Sequence, residues 1–401
     1  MKKLNKFFAI LVALAMMATL CVSMAFAADG EKLTKAPLVK TLTVPTGTAI
    51  PAGAKAVFKF SDVLVNGAAS DRASERAFLT TKTINLDTDA GAATPRNDSS
   101  KNVDVYIYTT EDLLAGINWE RPGVYEWTVS EATFTAEDNN TNTVDHADKD
   151  NSSYKIVVKV IYDESTKKYI VDEVIIKDGQ DGSDGQTTYD DNHTANGVTF
   201  ANTYYTTTGN DTVKPGDPED SEKPDVPGDS SKDNLGLSVD KVVEGTYGDT
   251  NKQFDFEVDL VLPQIAGADS AEAVIRRASG DIEAVTVNNG KNPIKLAHGD
   301  KLVFTKLAEG TKVTVNETDS LVGTASNQYT ATYTGNATAK DTQFAIGKTA
   351  NSVTVTNKAN QDTISPTGIL ISNLPYIALA LVAVGGLVAY VVVRRKADDE
   401  A

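Results

Sequence analysis

The sequence predicts an all-β chain of two immunoglobulin-like β-sandwiches joined by a flexible acidic linker, with a signal peptide before them and a transmembrane helix after. Three observations carry this expectation. Between the two ends, threonine, valine, tyrosine and aspartate are frequent, and turn residues recur about every ten positions, a spacing suited to the short strands of sandwiches. Long helical periodicity is nearly absent there. One acidic stretch rich in proline and glycine interrupts the strand pattern and divides it in two.

The N-terminus opens on the charged Met1-Lys2-Lys3. Phe7 to Val22 is almost wholly apolar, and Ala25-Phe26-Ala27 has the small-x-small form of a secretory cleavage site. Residues 1–27 are therefore expected to leave as a signal peptide, cut between Ala27 and Ala28. Cys21, the single cysteine, leaves with them. A secreted chain without disulfides must resist unfolding and proteolysis by other means. At the other end, Leu374 to Val393 is an apolar run of about 20 residues, the length of a bilayer-spanning helix. Arg394-Arg395-Lys396 follows it and is expected to keep residues 394–401 as a cytoplasmic tail.

Residues 206–234 hold only Val213 and Val226 as apolar residues among prolines, glycines and acids. Such a stretch cannot bury enough surface to order itself, so it reads as linker. It separates a module at 31–205 from a second at 235–358. In the first, Tyr154 to Tyr162 alternates with Lys155 and Lys159 facing out. Asp163 to Lys168 is expected to turn and Tyr169 to Lys177 to return as a strand. In the second, Phe254 to Leu260 alternates cleanly, and Ala271 to Arg277 is expected to form a short helix. Segments 63–100 and 261–290 are poorly patterned.

The formal net charge of −17 argues against binding nucleic acid or anionic membranes through electrostatics and suits an extracellular surface. Asp178 to Gly185 lacks the ligand spacing and closing glutamate of a calcium loop, and a glycine-rich turn is the better reading. His146, His193 and His298 lie in polar stretches without neighbouring cysteine or histidine and are expected to be solvated, so no metal site is read. Trp119 and Trp127 read as core or rim aromatics. No nucleophile elbow, phosphate loop or dinucleotide fingerprint occurs, and no cofactor is expected.

Six polar residues stand where the strand pattern wants apolar ones. Residues of one parity share a face of a strand. Lys40 shares parity with Leu38, Leu42 and Val44, Glu131 with Tyr125, Trp127 and Val129, and Asn202 with Phe200 and Tyr204. The second module repeats the order. Lys241 falls with Leu237, Val239 and Val243, Glu317 with Val313 and Val315, and Asn357 with Val353 and Val355. A lone buried lysine or glutamate is costly, so three such groups in the same order in two modules need a reason. A covalent crosslink supplies one. Desolvation lowers the pKa of lysine and frees its amine as a nucleophile; the same desolvation keeps glutamate protonated. A protonated carboxyl can hydrogen-bond the asparagine carbonyl, polarise it, and shuttle protons in the tetrahedral intermediate while ammonia leaves. Aspartate reaches less far than glutamate, and glutamine would misplace the electrophilic carbon. The bland alternative is that the lysines and glutamates snorkel or pair as buried ions. Lys35, a competitor to Lys40, has a poorer strand face.

At these residues the first module resembles the streptococcal pilin isopeptide-linkage domain of T-antigen-type pilins, through Val39 to Pro45, Tyr125 to Glu131 and Phe200 to Tyr204. The second is similar to the collagen-adhesin B-type domains of Gram-positive surface proteins, through Val239 to Gly245, Val313 to Thr318 and Val353 to Asn357. It has Val355 where that family often has phenylalanine. The resemblance implies autocatalytic isopeptide bonds Lys40–Asn202 and Lys241–Asn357, with Glu131 and Glu317 as catalytic acids. Ile364 to Gly368 resembles a sortase sorting signal, which implies cleavage between Thr367 and Gly368 by a cysteine transpeptidase. Pro366 directly precedes Thr367, whereas the common signal places proline two positions before threonine.

Together these readings predict a secreted structural protein anchored to a Gram-positive cell wall, a pilin or pilin-like stalk subunit rather than an enzyme. Its expected partners are a sortase and peptidoglycan or other pilin subunits, with the C-terminal helix holding the precursor in the membrane transiently. The alternative is a monomeric wall-anchored adhesin for a host or microbial ligand. The Val-Tyr-Pro-Lys acceptor motif of many polymerising pilins is absent from the sequence.

Overall fold

The computed structural model describes residues 33–89, 95–139, 143–178, 198–208, 236–265, 269–304, 306–323, 328–349 and 351–360. The expected signal peptide, sorting motif at 364–368, membrane span and tail lie outside these residues, as do His193 and residues 179–185.

The first module contains β1 (Leu38–Pro45), β2 (Lys55–Phe60), β3 (Leu64–Val65), β4 (Ala68–Ala69), a one-turn helix α1 (Ala73–Arg76), β5 (Thr81–Asn85), β6 (Arg96–Asp98), β7 (Val103–Thr109), β8 (Gly123–Thr135), β9 (Thr143–Asp148), β10 (Ser153–Asp163), β11 (Lys168–Asp178) and β12 (Val198–Thr208). The second contains β13 (Leu237–Glu244), β14 (Phe254–Val261), β15 (Ser270–Arg276), β16 (Ile282–Asn288), β17 (Gly290–Leu296), β18 (Lys301–Phe304), β19 (Leu307–Ala308), β20 (Lys312–Glu317), β21 (Val322–Gly323), β22 (Tyr329–Gly335), β23 (Gln343–Ala345) and β24 (Ser352–Ala359).

Each module is built from two sheets. In the first, one sheet runs β12-β1-β7-β6 with β9 on β12, and the other runs β11-β10-β8-β2-β5 with β3 and β4 beside β8. In the second, one sheet runs β16-β15-β18-β13-β24-β22-β21 and the other β17-β14-β20-β23. Period-2 patterning explains the layers. Along β10, Tyr154, Ile156, Val158 and Val160 are buried, while Lys159 points outward to Asp172 at 2.8 Å. Each module has its own apolar core, one drawn from Ala36 to Tyr204 and the other from Leu237 to Ala359.

In both modules the first strand lies parallel to the last. β1 pairs with β12 and β13 with β24, and in each case the intervening chain closes the sandwich before returning beside its start. Both pairs are internal to their sheets. A bond between those strands would therefore hold the two ends of the module together.

Two expectations are corrected. Residues 271–277 do not form a helix: Ser270–Arg276 is β15, paired with β16 and β18. Ala271, Ala273 and Ile275 face the core, so cross-strand packing overrides the helix propensity of the alanines. Thr206 to Thr208, read as the start of the linker, belong to β12 instead, and residues 209–234 lie outside the described residues. Thr207 and Thr208 pair with Ala308 and Leu307 of β19, which adds a strand of the second module to the first module's sheet.

The modules thus meet directly. The Glu309 main-chain N–H donates to Thr206 O at 2.9 Å, the Gln264 N–H to Lys101 O at 2.8 Å, and Lys348 pairs with Asp138 at 2.9 Å. Asn102, fully buried at φ 54°, donates from Nδ2 to Gly310 O at 2.9 Å and to Val261 O at 3.1 Å. Gly310 takes φ +79°, and a Cβ there would lie 3.1 Å from Pro45 Cβ and from Thr46 O. Glycine is what lets the two backbones approach at this point.

Candidate functional site

The register of the paired strands places the polar residues. In the first module Lys40 lies opposite Phe200 and Leu42 opposite Asn202, so lysine and asparagine are diagonal neighbours two residues apart on adjacent parallel strands. In the second, Lys241 lies opposite Val355 and Val243 opposite Asn357, the same offset. Glu131 reaches from β8, and Glu317 from β20, across the sandwich from the opposing sheets. All six side chains are buried. Lys35, by contrast, is exposed.

The contacts match between modules. Lys40 Nζ lies 3.3 Å from both Oε1 and Oε2 of Glu131, and Asn202 Nδ2 donates to Glu131 Oε1 at 2.8 Å. Lys241 Nζ lies 3.2 and 3.3 Å from the Glu317 oxygens, and Asn357 Nδ2 donates to Glu317 Oε1 at 2.6 Å. Each glutamate therefore bridges its lysine and its asparagine.

Aromatic rings wall off both sites. Lys241 Nζ lies 4.5 Å from the Phe254 ring centre and 5.6 Å from that of Phe256; Lys40 Nζ lies 5.8 Å from that of Phe134. Phe200 packs on Phe58 and Tyr154. Burial sets the electrostatics. It lowers Lys40 to about 8 against the opposing pull of Glu131 and Asp150, and lowers Lys241 to about 8 against Glu317. Burial also raises Glu131 and Glu317 above the usual carboxylate range, partly offset by the lysine beside each. These are the directions amide formation needs: a neutral amine and a protonated acid.

That arrangement dictates a pH dependence. A neutral lysine beside a protonated glutamate carries the same number of protons as the ion pair, so the reactive form is a fixed share of one macroscopic state. Adding a proton gives an ammonium beside a neutral acid, with no nucleophile. Removing one leaves an amine beside a carboxylate, with no acid. On the reading that the triads close as amides, the rate of closure in newly made chain is expected to be bell-shaped. It should fall as pH rises above about 8, the lowered lysine value, and fall again below the raised glutamate range. Ammonia release followed by mass in buffers from pH 4 to 10 checks this; a rate that climbs steadily to pH 10 refutes the acid's role.

Several contributing residues escaped the sequence reading. Tyr333 accepts a hydrogen bond from the Glu317 N–H at 3.0 Å, Lys149 Nζ donates to Glu131 O at 2.8 Å, and the Asp150 N–H reaches Asn202. Asp150-Asn151-Ser152 carries an aspartate-turn signal, since the Ser152 N–H donates to Asp150 Oδ1 at 2.8 Å, but nothing in sequence ties that turn to β12. His146 is half-buried, with Nε2 3.0 Å from Thr207 Oγ1 and its ring stacked on Tyr205, rather than solvated. His298 is also half-buried, its Nδ1 accepting from the Val243 N–H at 3.0 Å. Trp119 and Trp127 are both in the core.

Fold and sites define a class: β-sandwich modules whose adjacent first and last strands lie over a buried lysine, glutamate and asparagine. Known proteins narrow it. Residues 235–359 match a family described as a domain of unknown function, DUF7601. The chain is 24% identical over 298 residues to a pilin of Streptococcus pyogenes serotype M1, covering 71% of each. Among solved structures, the major pilin from Streptococcus pyogenes is 17% identical and covers 82% of this chain and 99% of its own, with a TM-score of 0.30. The T3.2 major pilin of the same species gives 18%, 82%, 99% and 0.31, and a pilus-presented adhesin 17%, 51%, 35% and 0.24. By sequence the chain is thus similar to a pilin of a Gram-positive bacterium.

Proposed function

We propose that this chain is a wall-anchored subunit of a surface fibre, and that each module locks itself with an isopeptide bond, Lys40 to Asn202 and Lys241 to Asn357. The observation that carries the reading is the duplicated geometry: the same three residue types, at the same strand offset, with glutamate bridging lysine and asparagine in both cores. A structural salt bridge has no need of an asparagine at a fixed diagonal from its lysine.

The reaction balances without a co-reactant. The neutral Nζ of lysine attacks the asparagine Cγ. Glutamic acid, which meets the amide nitrogen rather than the carbonyl oxygen expected from sequence, carries a proton from Nζ to Nδ2. The Cγ–Nδ2 bond breaks, ammonia departs, and a secondary amide joins the two strands. The glutamate ends in its starting state. Sortase would cut between Thr367 and Gly368 and join Thr367 to peptidoglycan or to a further subunit.

Glu131→Gln and Glu317→Gln test the chemistry with little change of shape. The mature chain, residues 28–367, is expected to weigh two ammonias, roughly 34 Da, less than its sequence mass. Each variant should regain one, and the double variant both. Variants that still lose both ammonias would remove the acid from the mechanism. Wall extracts test the fibre: a ladder of multimers resistant to sodium dodecyl sulfate supports polymerisation. A single wall-linked band would support the monomeric adhesin instead.

A further inference from the structure

We infer that the main-chain N–H of Asp150 is an oxyanion donor for closing the first module, and that the second module closes more slowly because its asparagine has no such donor. This rests on the isopeptide reading above.

The turn between β9 and β10 brings Asp150 against the site. Its N–H donates to Asn202 Oδ1 at 2.7 Å and lies 3.2 Å from Glu131 Oε2. The Asp150 carboxylate fixes that N–H in place. Oδ1 accepts the Ser152 N–H at 2.8 Å and Oδ2 accepts the Ala201 N–H at 2.7 Å, so the turn is clamped to β12 one residue before Asn202. An N–H can only donate, so the atom it meets on Asn202 is the carbonyl oxygen. That sets the amide orientation: Oδ1 faces the donor, and Nδ2, the leaving group, faces Glu131.

When Nζ adds to Cγ, the carbonyl π electrons move onto Oδ1, and negative charge develops where the N–H already points. A preorganised donor of this kind in a water-poor site speeds acyl chemistry by roughly 10²–10³. The N–H touches a reacting atom; the Asp150 side chain is a positioning group. In the second module Asn357 meets Glu317 in the same way, but Asn357 Oδ1 is buried and no donor among the described residues reaches it.

Newly synthesised residues 28–367, made in a cell-free pulse, quenched in acid at intervals and digested, report each crosslink by the roughly 17 Da its peptides lose. In the wild type, the Lys40–Asn202 link is expected to form before Lys241–Asn357. Asp150→Pro removes the N–H and should slow the first link by roughly 100-fold while leaving the second unchanged. Asp150→Asn keeps the N–H and one side-chain acceptor, and should restore closure to within about threefold of wild type, a rescue that a merely structural aspartate does not predict. Asp150→Pro closing at the wild-type rate, or Asp150→Asn slowing as much as Asp150→Pro, overturns the proposal. Should Asp150→Pro prevent folding of the module, the wild-type order decides: equal rates, or the second module first, overturn it. Wild type that loses no ammonia in either module overturns the isopeptide reading itself, an outcome distinct from closure that ignores Asp150.

Discussion

Lys40→Ala is expected to leave the first module on the edge of unfolding. Two losses combine. The bond from Lys40 to Asn202 would close a loop longer than the roughly 100 residues for which crosslink entropy is about 4.7 kcal/mol on the disulfide model. The variant also leaves the buried Glu131 carboxyl without the Lys40 nitrogen that faces it, and a buried polar group left without a partner costs about 1–3 kcal/mol. Part of that second cost is relieved because the carboxyl can stay protonated, the direction its burial already favours. Even so, the sum is comparable with the total stability of an ordinary domain, about 5–15 kcal/mol. At roughly 2–4 °C per kcal/mol for a domain of this size, the melting temperature of the module should fall by about 10–30 °C. Calorimetry on residues 28–367 reads the shift, and intact mass on the same sample reads the return of one ammonia. Lys241→Ala should do the same to the second module and leave the first untouched. An unchanged melting temperature beside an unchanged mass would refute the crosslink. The mechanical consequence is direct: a chain pulled from its ends cannot extend what lies between two bonded neighbouring strands.

Asn102→Gly is expected to uncouple the two modules. Asn102 takes the left-handed conformation at φ 54°, where glycine is at ease, so the substitution removes the side chain without straining the turn. The Val261 and Gly310 carbonyls then lose their donor. A buried acceptor without a partner costs about 1–3 kcal/mol; Gly310 O is buried and Val261 O partly so, and the loss is on the order of 1–4 kcal/mol, all of it at the junction. Wild-type protein should scatter X-rays as a molecule of nearly fixed length and the variant as a broader distribution, with each module's own melting transition preserved. Asn97→Ala is the control, because Asn97 belongs to the same hairpin but bonds Asp104 within its own module. Equal scattering from Asn102→Gly and wild type would mean that the β12–β19 pairing alone holds the junction.

The division between what was legible in the chain and what was not follows from the range of each interaction. Alternation along a strand is local, so the burial of Lys40, Glu131 and Asn202, and of their counterparts Lys241, Glu317 and Asn357, could be read from neighbours two positions away. The same locality misled at 271–277, where alanine-rich sequence favours a helix until β16 and β18 offer it a sheet. The boundary at residue 206 was misplaced for a related reason. Thr206 to Thr208 look like linker by composition, yet they find partners in Leu307 to Glu309. Asn102 bonds residues 159 and 208 positions away, and Asp150 bonds Asn202 across 52. No periodicity encodes such contacts, because loops have none and their neighbours are chosen by how the sheets close. The sequence by itself thus determined the class of fold, the two modules and the three residue types buried in each. Only the tertiary structure decided which atoms of those residues meet, which of the two asparagines has a donor at its oxygen, and that the modules press against each other. Patterning sets the face on which a side chain lies, whereas a hydrogen bond depends on positions to within a few tenths of an ångström, which packing alone fixes.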